Sequence, residues 1–337
     1  LEELPESAKI DFVLRLEKET REKDPRITEV AFCSYFEEST KCQLINTKGL
    51  DLEFKGNSAT ALVSAVARSG ADVKTGTAFF SGNSLSALQE AGVAEQAVAD
   101  AVGSLGAESI ASGEYPVLLR GNVMAVLLEG FSGNFQGDKV QKNLSRLKEK
   151  LGEKIGVDKL SILEDPFLEN GARSRPFDDE GIPTRRKHLV KDGILLTYLH
   201  NQKSGSKEGC GSNGNGIRMS HKEGISVAPT NLFIEKGSAT LEEMFSSVDQ
   251  GMMIIDVQGT HAGINAISGD FSLQSSGYRI EGGKLGSALH KITIAGNFYS
   301  LLKDIRAIGN DLTFGFPNRS YIGAPSLVVD HITVAGE

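Results

Sequence analysis

The sequence predicts an α+β protein, a helix-containing N-terminal segment packed on a Gly-rich, mainly antiparallel β domain. Three observations lead there. Apolar and polar residues alternate through 271–280, the period of a strand with one covered face. Gly282-Gly283 supplies a hairpin turn between two such runs, because glycine tolerates positive φ. Helical spacing concentrates early in the chain, at 6–23 and 84–105. The boundary falls near 159, with an α+β segment over 1–159 and a β-rich domain over 160–337. The 38 glycines among 337 residues exceed the usual ~7% and sit mostly between strand-like runs.

Residues 6–23 read as a helix capped by Ser7, with Ile10, Val13, Leu14 and Leu16 as its apolar stripe and Pro25 beyond its end. Two short strands follow, ITEVAFCSYFEES and KCQLINTKG. ATALVSAVARSG is strand or helix, and its valines together with the neighbouring DVKTGTAFFSG favour strand. Ser84–Leu105 reads as one Ala-rich helix. Val117–Leu119 is a strand, and Asn122 caps a helix carrying Met124, Val126, Leu127 and Leu128. Residues 138–155 are an amphipathic helix or a mobile charged segment, the spacing leaning toward helix.

From Leu160 strands dominate. LSILEDP is one, and LVKDGILLTYL is a hairpin turning at Asp192-Gly193. QKSGSKEGCGSNGNG reads as the most mobile loop. TNLFIEKGSA is a strand and turn, and Thr240 with Glu243 forms a capping box for a short helix. The stretch Gly251–Asn297 is the central meander, a buried strand at Met252–Val257 and a hairpin resembling the wall of a cleft. Phe298–Ile308 reads as a helix, and PSLVVDHITVAGE closes the chain as a strand.

Composition narrows the function. A net charge of −8 argues against nucleic acid as the main partner, which needs clustered Lys and Arg. No window approaches the ~18 consecutive apolar residues of a membrane span, and no signal-like segment opens the chain. Cys33, Cys42 and Cys210 form no CxxC pair, which suits a reducing cytoplasm. The chain begins at Leu1, already entering a helix, and is expected to lack its natural N-terminus.

Motifs of nucleotide and serine chemistry are absent: there is no Walker A sequence and no GxSxG. Gly209–Gly214 matches GxGxxG, but no strand runs into it and no helical periodicity follows, so it reads as a loop. No two of the six His residues pair at helical ligand spacing, and no cofactor or metal is expected. His261 stands out because Gly259 and Gly263 leave its ring room to face a cleft. Asp178 and Asp179, in the DDE triplet, could furnish general acid/base groups or a cation site, or cap turn amides and stay solvated.

Five phrases, in order between Asp165 and Glu337, resemble the TldD/PmbA family of DNA gyrase modulators and peptidases. They are DPFLENGARSRPFDDEGIPT, PTNLFIEKG, GDFSLQSSGYRIEGGK, ITIAGNFYSLLKDIRAIGNDL and PSLVVDHITVAGE. In that family about a hundred further residues precede this starting point. The TldD branch resembles a zinc metallopeptidase with an LLHExxGH stretch. The matching residues here are Leu127-Leu128-Glu129-Gly130-Phe131-Ser132-Gly133-Asn134. Glu129 and Asn134 stand where the two His ligands would be and Gly130 replaces the base. No Cys follows Cys210 to supply a third ligand.

The chain therefore resembles the PmbA (TldE) branch. The resemblance implies a non-zinc subunit pairing with a TldD-like metallopeptidase that cleaves unfolded peptides, the peptide added as a strand on a sheet edge. A homodimer is a further possible assembly. Two other readings stand beside it. One is a peptidase in its own right with a non-standard metal or acid/base site, such as His261 with Asp178, Asp179 or Glu129. The other is a non-proteolytic binding protein acting on a gyrase or a toxin–antitoxin system.

Overall fold

A computed structural model describes all residues except Glu2 and Glu337. It is α+β, as the sequence predicts, and divides into two compact units. One comprises Leu1–Cys42, Lys55–Glu108 and Glu169–Ala172; the other comprises Gln43–Phe54, Ser109–Leu168 and Arg173–Glu337.

The strands Ile27–Ile45, Asp51–Ser69 and Asp72–Gly82, most of whose residues belong to the first unit, form a sheet in that order. Its inner face, Ala59, Ala61, Val63, Ala65 and Ala67, packs with residues of the helices Glu6–Glu22, Leu85–Glu90 and Val93–Gly103. The small Ala face is needed for close approach: at Gly76 an added Cβ would overlap the Ala97 carbonyl.

Several local expectations change here. Pro5, not Ser7, occupies the N-cap of the first helix. Its buried stripe is Phe12, Leu16 and Thr20, while Ile10 and Leu14 are each 58% exposed. The two short strands are one 19-residue strand, because pairing beside Asp51–Ser69 holds the backbone extended whatever the polarity of EEST. The 84–105 helix is two helices, broken where Gly92 turns left-handed at φ 65°.

The second unit is built on five strands that close on themselves. Gly113–Leu119 pairs parallel with Gln250–Gln258 and antiparallel with Leu327–Ala335. Gln250–Gln258 pairs with Asp270–Glu281, and that with Lys284–Asn297. The ring shuts where Thr293–Ala295 meets Thr333–Ala335. Gly282 and Gly283, at φ 57° and 68°, make the expected hairpin turn.

Met252-Met253-Ile254-Ile255 is continuously apolar because both faces of this strand are covered. Met252 and Ile254 join the large core with the helix Gly121–Phe131. Met253 and Ile255 face the other way, into a cluster with Met244 and Val248 of the helix Leu241–Val248. That helix carries the predicted capping box: Glu243 N–H donates to Thr240 Oγ1 at 3.2 Å, and Thr240 N–H to Glu243 Oε2 at 2.8 Å.

A second six-stranded sheet contains Ile162–Glu164, Lys187–Lys191, Ile194–Leu195, Asn231–Ile234, Thr313–Phe314 and Tyr321–Ala324. The turn at Asp192-Gly193 forms as predicted, both residues having positive φ. Between its strands Glu164 is fully buried, paired with Lys187 and accepting from Asn215 Nδ2 at 2.5 Å and Thr230 N–H at 2.8 Å. The ion pair and its neutral donors compensate one another's desolvation.

Four further expectations are corrected in this unit. Arg120, not Asn122, is the N-cap of Gly121–Phe131; Asn122 instead donates to the Ile255 carbonyl at 2.9 Å and ties the helix to the neighbouring strand. Residues 138–155 are helical only over Gly137–Gln141, because Asn143 and Glu149 turn to positive φ. The polar run after Asn201 is a packed element: Gln202–Glu208 is a helix with an Asn201–Ser204 capping box, and Asn213 and Asn215 are buried. Phe298–Ile308 is one helical turn, Phe298–Leu301, and then a strand, Ile305–Ile308. Its apolar spacing suits either form, and pairing with Leu327–Val329 favours the strand.

Candidate functional site

The helix Gly121–Phe131 follows directly on the strand Gly113–Leu119, so the Glu129–Asn134 stretch lies at its C-terminal end. Leu127, Leu128, Phe131 and Phe135 are fully buried and fix the helix rotation, each worth roughly 1.5–3 kcal/mol of transfer free energy. Phe131 also stacks on Phe298 at 4.5 Å between centroids.

Asn134 is 1% exposed and its side chain is fully engaged. Its Nδ2 donates to the carbonyls of Phe131 at 3.0 Å and Ala266 at 2.9 Å. Its Oδ1 accepts from the Tyr299 hydroxyl at 2.7 Å. Burial pushes the Tyr299 hydroxyl pKa up.

Two loops border this stretch. One, after the short helix Thr260–Gly263, carries Ile264 and Ala266. A Cβ added at Gly130 would point at Ile264 Cδ1, 2.6 Å away. The other, between the Thr313–Phe314 and Tyr321–Ala324 strands, carries Asn318, whose Nδ2 donates to Glu129 Oε1 at 3.1 Å. Arg173 Nε donates to the Asn318 carbonyl at 2.6 Å and holds that loop.

The four candidate residues fall into two groups. Glu129 and His261 belong to adjoining elements, since the loop leaving His261 packs on Gly130 and bonds Asn134. His261 itself is exposed. Asp178 and Asp179 lie in a different constellation. Asp178 is completely buried; its Oδ1 accepts from Glu180 N–H and Ile182 N–H, each at 2.9 Å, and its Oδ2 from Gly216 N–H at 2.8 Å. Asp179 pairs with Arg175 and accepts from Arg218 N–H at 2.7 Å. Arg175 lies 5.5 Å over the Phe54 ring, and Phe54 meets Phe177 edge-on at 5.2 Å. This turn organises backbone amides.

The residues present do not fit a metallopeptidase zinc. Asn134 offers a neutral amide already committed to three partners, and Gly130 has no side chain to activate water. Among the described residues no three His, Cys, Asp or Glu side chains converge on a possible metal position.

Sequence reasoning passed over Tyr299, Asn318 and Arg173, the residues that tie down the two loops. Tyr299 lies 165 positions from Asn134 and Asn318 lies 189 from Glu129, with no local signal linking them. His200 is 2% exposed, with Nδ1 3.1 Å from Ser204 Oγ.

Both compact parts of the chain match domains of a metallopeptidase family. Residues 1–105 match the PmbA/TldA metallopeptidase central domain, and residues 112–336 match the PmbA/TldA metallopeptidase C-terminal domain. The chain belongs to the PmbA/TldD family.

It is similar to the Metalloprotease PmbA homolog of Haemophilus influenzae, 30% identical over 246 residues, which is 72% of this chain and 51% of that protein. It is 28% identical over 329 residues to Metalloprotease PmbA of Escherichia coli O157:H7, covering 97% and 70%. It is 30% identical over 255 residues to the Metalloprotease TldD homolog of Haemophilus influenzae, covering 72% and 52%. The chain thus spans about half the length of the two Haemophilus relatives.

Among solved structures, a candidate DNA gyrase modulator from Thermotoga maritima superposes with TM-score 0.92 at 36% identity, covering 99% of this chain and 75% of that one. TldE from Thermococcus kodakarensis superposes with TM-score 0.91 at 26% identity, with the same coverage. No described helix is long and apolar enough to cross a membrane.

Proposed function

We propose that this chain is the zinc-free, PmbA/TldE-like subunit of a peptidase complex, pairing with a TldD-like metallopeptidase that cleaves unfolded peptides. The observation that carries this reading is the Glu129–Asn134 stretch. The helix end is held by a buried core and by its two flanking loops. The base position is glycine, and Asn134 is spent on holding the 264–269 loop. Likeness to both PmbA and TldD proteins supports a partnership between two related chains.

The carboxylate of Glu129, bonded to Asn318, and the exposed ring of His261 are the groups with which this subunit would meet a peptide. Asp178 and Asp179 would act only by shaping the turn. The test is metal content and cleavage of an unfolded protein by this chain alone and mixed with a TldD-like partner. Cleavage only in the mixture, with zinc only on the partner, supports the proposal. Zinc-dependent cleavage by this chain alone, lost on His261→Ala, would overturn it.

A further inference from the structure

Glu164, Lys187 and Asn215 meet inside the second unit. Glu164 ends the strand Ile162–Glu164 and lies directly opposite Lys187, the first residue of the neighbouring strand. Asn215 arrives from the segment after the helix Gln202–Glu208. Its backbone is fixed on both sides: its N–H donates to the His200 carbonyl at 3.3 Å, and its carbonyl accepts from Ala228 N–H at 3.2 Å. Glu164 and Asn215 have no exposure, and the Lys187 side chain has 9%.

The three side chains are ordered around the Asn215 amide. Lys187 Nζ lies 3.0 Å from Asn215 Oδ1, one covalent bond away from the amide carbon Cγ. Glu164 reaches both nitrogens. Its Oε2 is paired with Lys187 Nζ, and its Oε1 accepts from Asn215 Nδ2 at 2.5 Å. The other Nδ2 proton goes to the Ala228 carbonyl at 3.0 Å. The amide orientation is therefore unambiguous, since the flipped form would set NH₂ against an ammonium and oxygen against two acceptors. Thr230 N–H, donating to Glu164 Oε1 at 2.8 Å, holds the carboxylate in place.

We infer that Lys187 and Asn215 join in an intramolecular isopeptide bond, with Glu164 carrying the protons. A proton passes from Lys187 Nζ to Glu164 Oε2 within their contact and frees the amine lone pair. The amine attacks Asn215 Cγ, held beside it by the packed backbone, and forms the new N–C bond. Glu164 delivers to Nδ2, one after the other, the two protons that Nζ sheds. The Cγ–Nδ2 bond breaks and Nδ2 leaves as ammonium. A lysine ammonium and a carboxamide thus become a secondary amide and ammonium, and Glu164 ends ionised as it began. Burial excludes the water that would otherwise compete as nucleophile. The product links positions 28 apart, ties the 202–215 segment to the sheet and restricts the unfolded chain as a disulfide does.

The experiment is intact and tryptic mass spectrometry of the purified full chain, fresh and after prolonged incubation. The wild type is expected about 17 Da below the mass of its sequence, the loss of one ammonia. Trypsin then yields one joined species, residues 187–191 linked to residues 208–218 and uncut at Lys187, and fragmentation places the link on Lys187 Nζ. Ammonia is also lost when an Asn-Gly pair closes to a succinimide, and Asn213-Gly214 and Asn215-Gly216 are such pairs, but that product joins no second peptide. Lys187→Arg and Glu164→Gln yield no joined species, and circular dichroism verifies that each is folded. A wild-type chain of undiminished mass, a loss confined to a succinimide, or a link formed as fully in folded Glu164→Gln would each overturn the inference. The wild-type measurement decides it even where a variant fails to fold.

Discussion

Replacing Asp178 separates a structural carboxylate from a chemical one. Its side chain has no exposure and accepts three backbone N–H groups. Asp178→Ala strands all three donors. The amides of Glu180 and Ile182 lie in a half-buried turn that water reaches, so each costs about 1 kcal/mol. Gly216 is buried, and its amide, without an acceptor, costs about 2 kcal/mol, for a sum of about 4 kcal/mol. Asp178→Asn keeps one oxygen for the turn amides but turns its NH₂ toward the Gly216 amide. Its cost is about 2 kcal/mol. The chain has no Trp, so urea unfolding is followed by far-ultraviolet circular dichroism. The reasoning is refuted if Asp178→Ala costs under 1 kcal/mol, or if Asn costs as much as Ala. A stable Asp178→Asn protein that lost all cleavage in complex would return the residue to the chemistry.

Three further outcomes follow from the same geometry. Asn134→Ala leaves the Ala266 carbonyl and the Tyr299 hydroxyl without their partner; it lowers stability by about 2–4 kcal/mol and speeds amide exchange over 264–269, whereas unchanged exchange there would contradict the tether. Gly130→Ala gains helix propensity but meets Ile264 Cδ1; in an Ile264→Val background it stabilises by about 0.5–1 kcal/mol more than in the wild type, and a double-mutant cycle without coupling would refute the contact. Burial holds the His200 pKa below its ordinary 6.5, so the unfolded chain binds the proton first. Its contribution is complete above 6.5 and declines as pH falls below that value. Urea midpoints recorded from pH 8 to 5 therefore fall for the wild type and fall less for His200→Gln; parallel profiles would exclude His200 as the cause.

Local chemistry was legible wherever neighbours in sequence settle the structure. Thr240 and Glu243 cap one another across three residues, Asp192-Gly193 and Gly282-Gly283 take the positive φ their turns need, and Met252–Ile255 is apolar on both faces. The Leu127–Asn134 stretch likewise carried part of the family resemblance, because its residues lie in a contiguous motif. Tertiary structure decided the rest. Whether Ile305–Ile308 continued a helix depended on the second edge of Leu327–Val329, whose first edge pairs with Val117–Leu119, and local spacing cannot display that edge. Asp178 is a buried anchor because Gly216, 38 positions away, points its amide at it. What Asn134 bonds was fixed by Ala266 and Tyr299, brought to it through the closed strand ring. A residue's type states what bonds it is able to form; only the long-range pairing of strands states which of them it has already made.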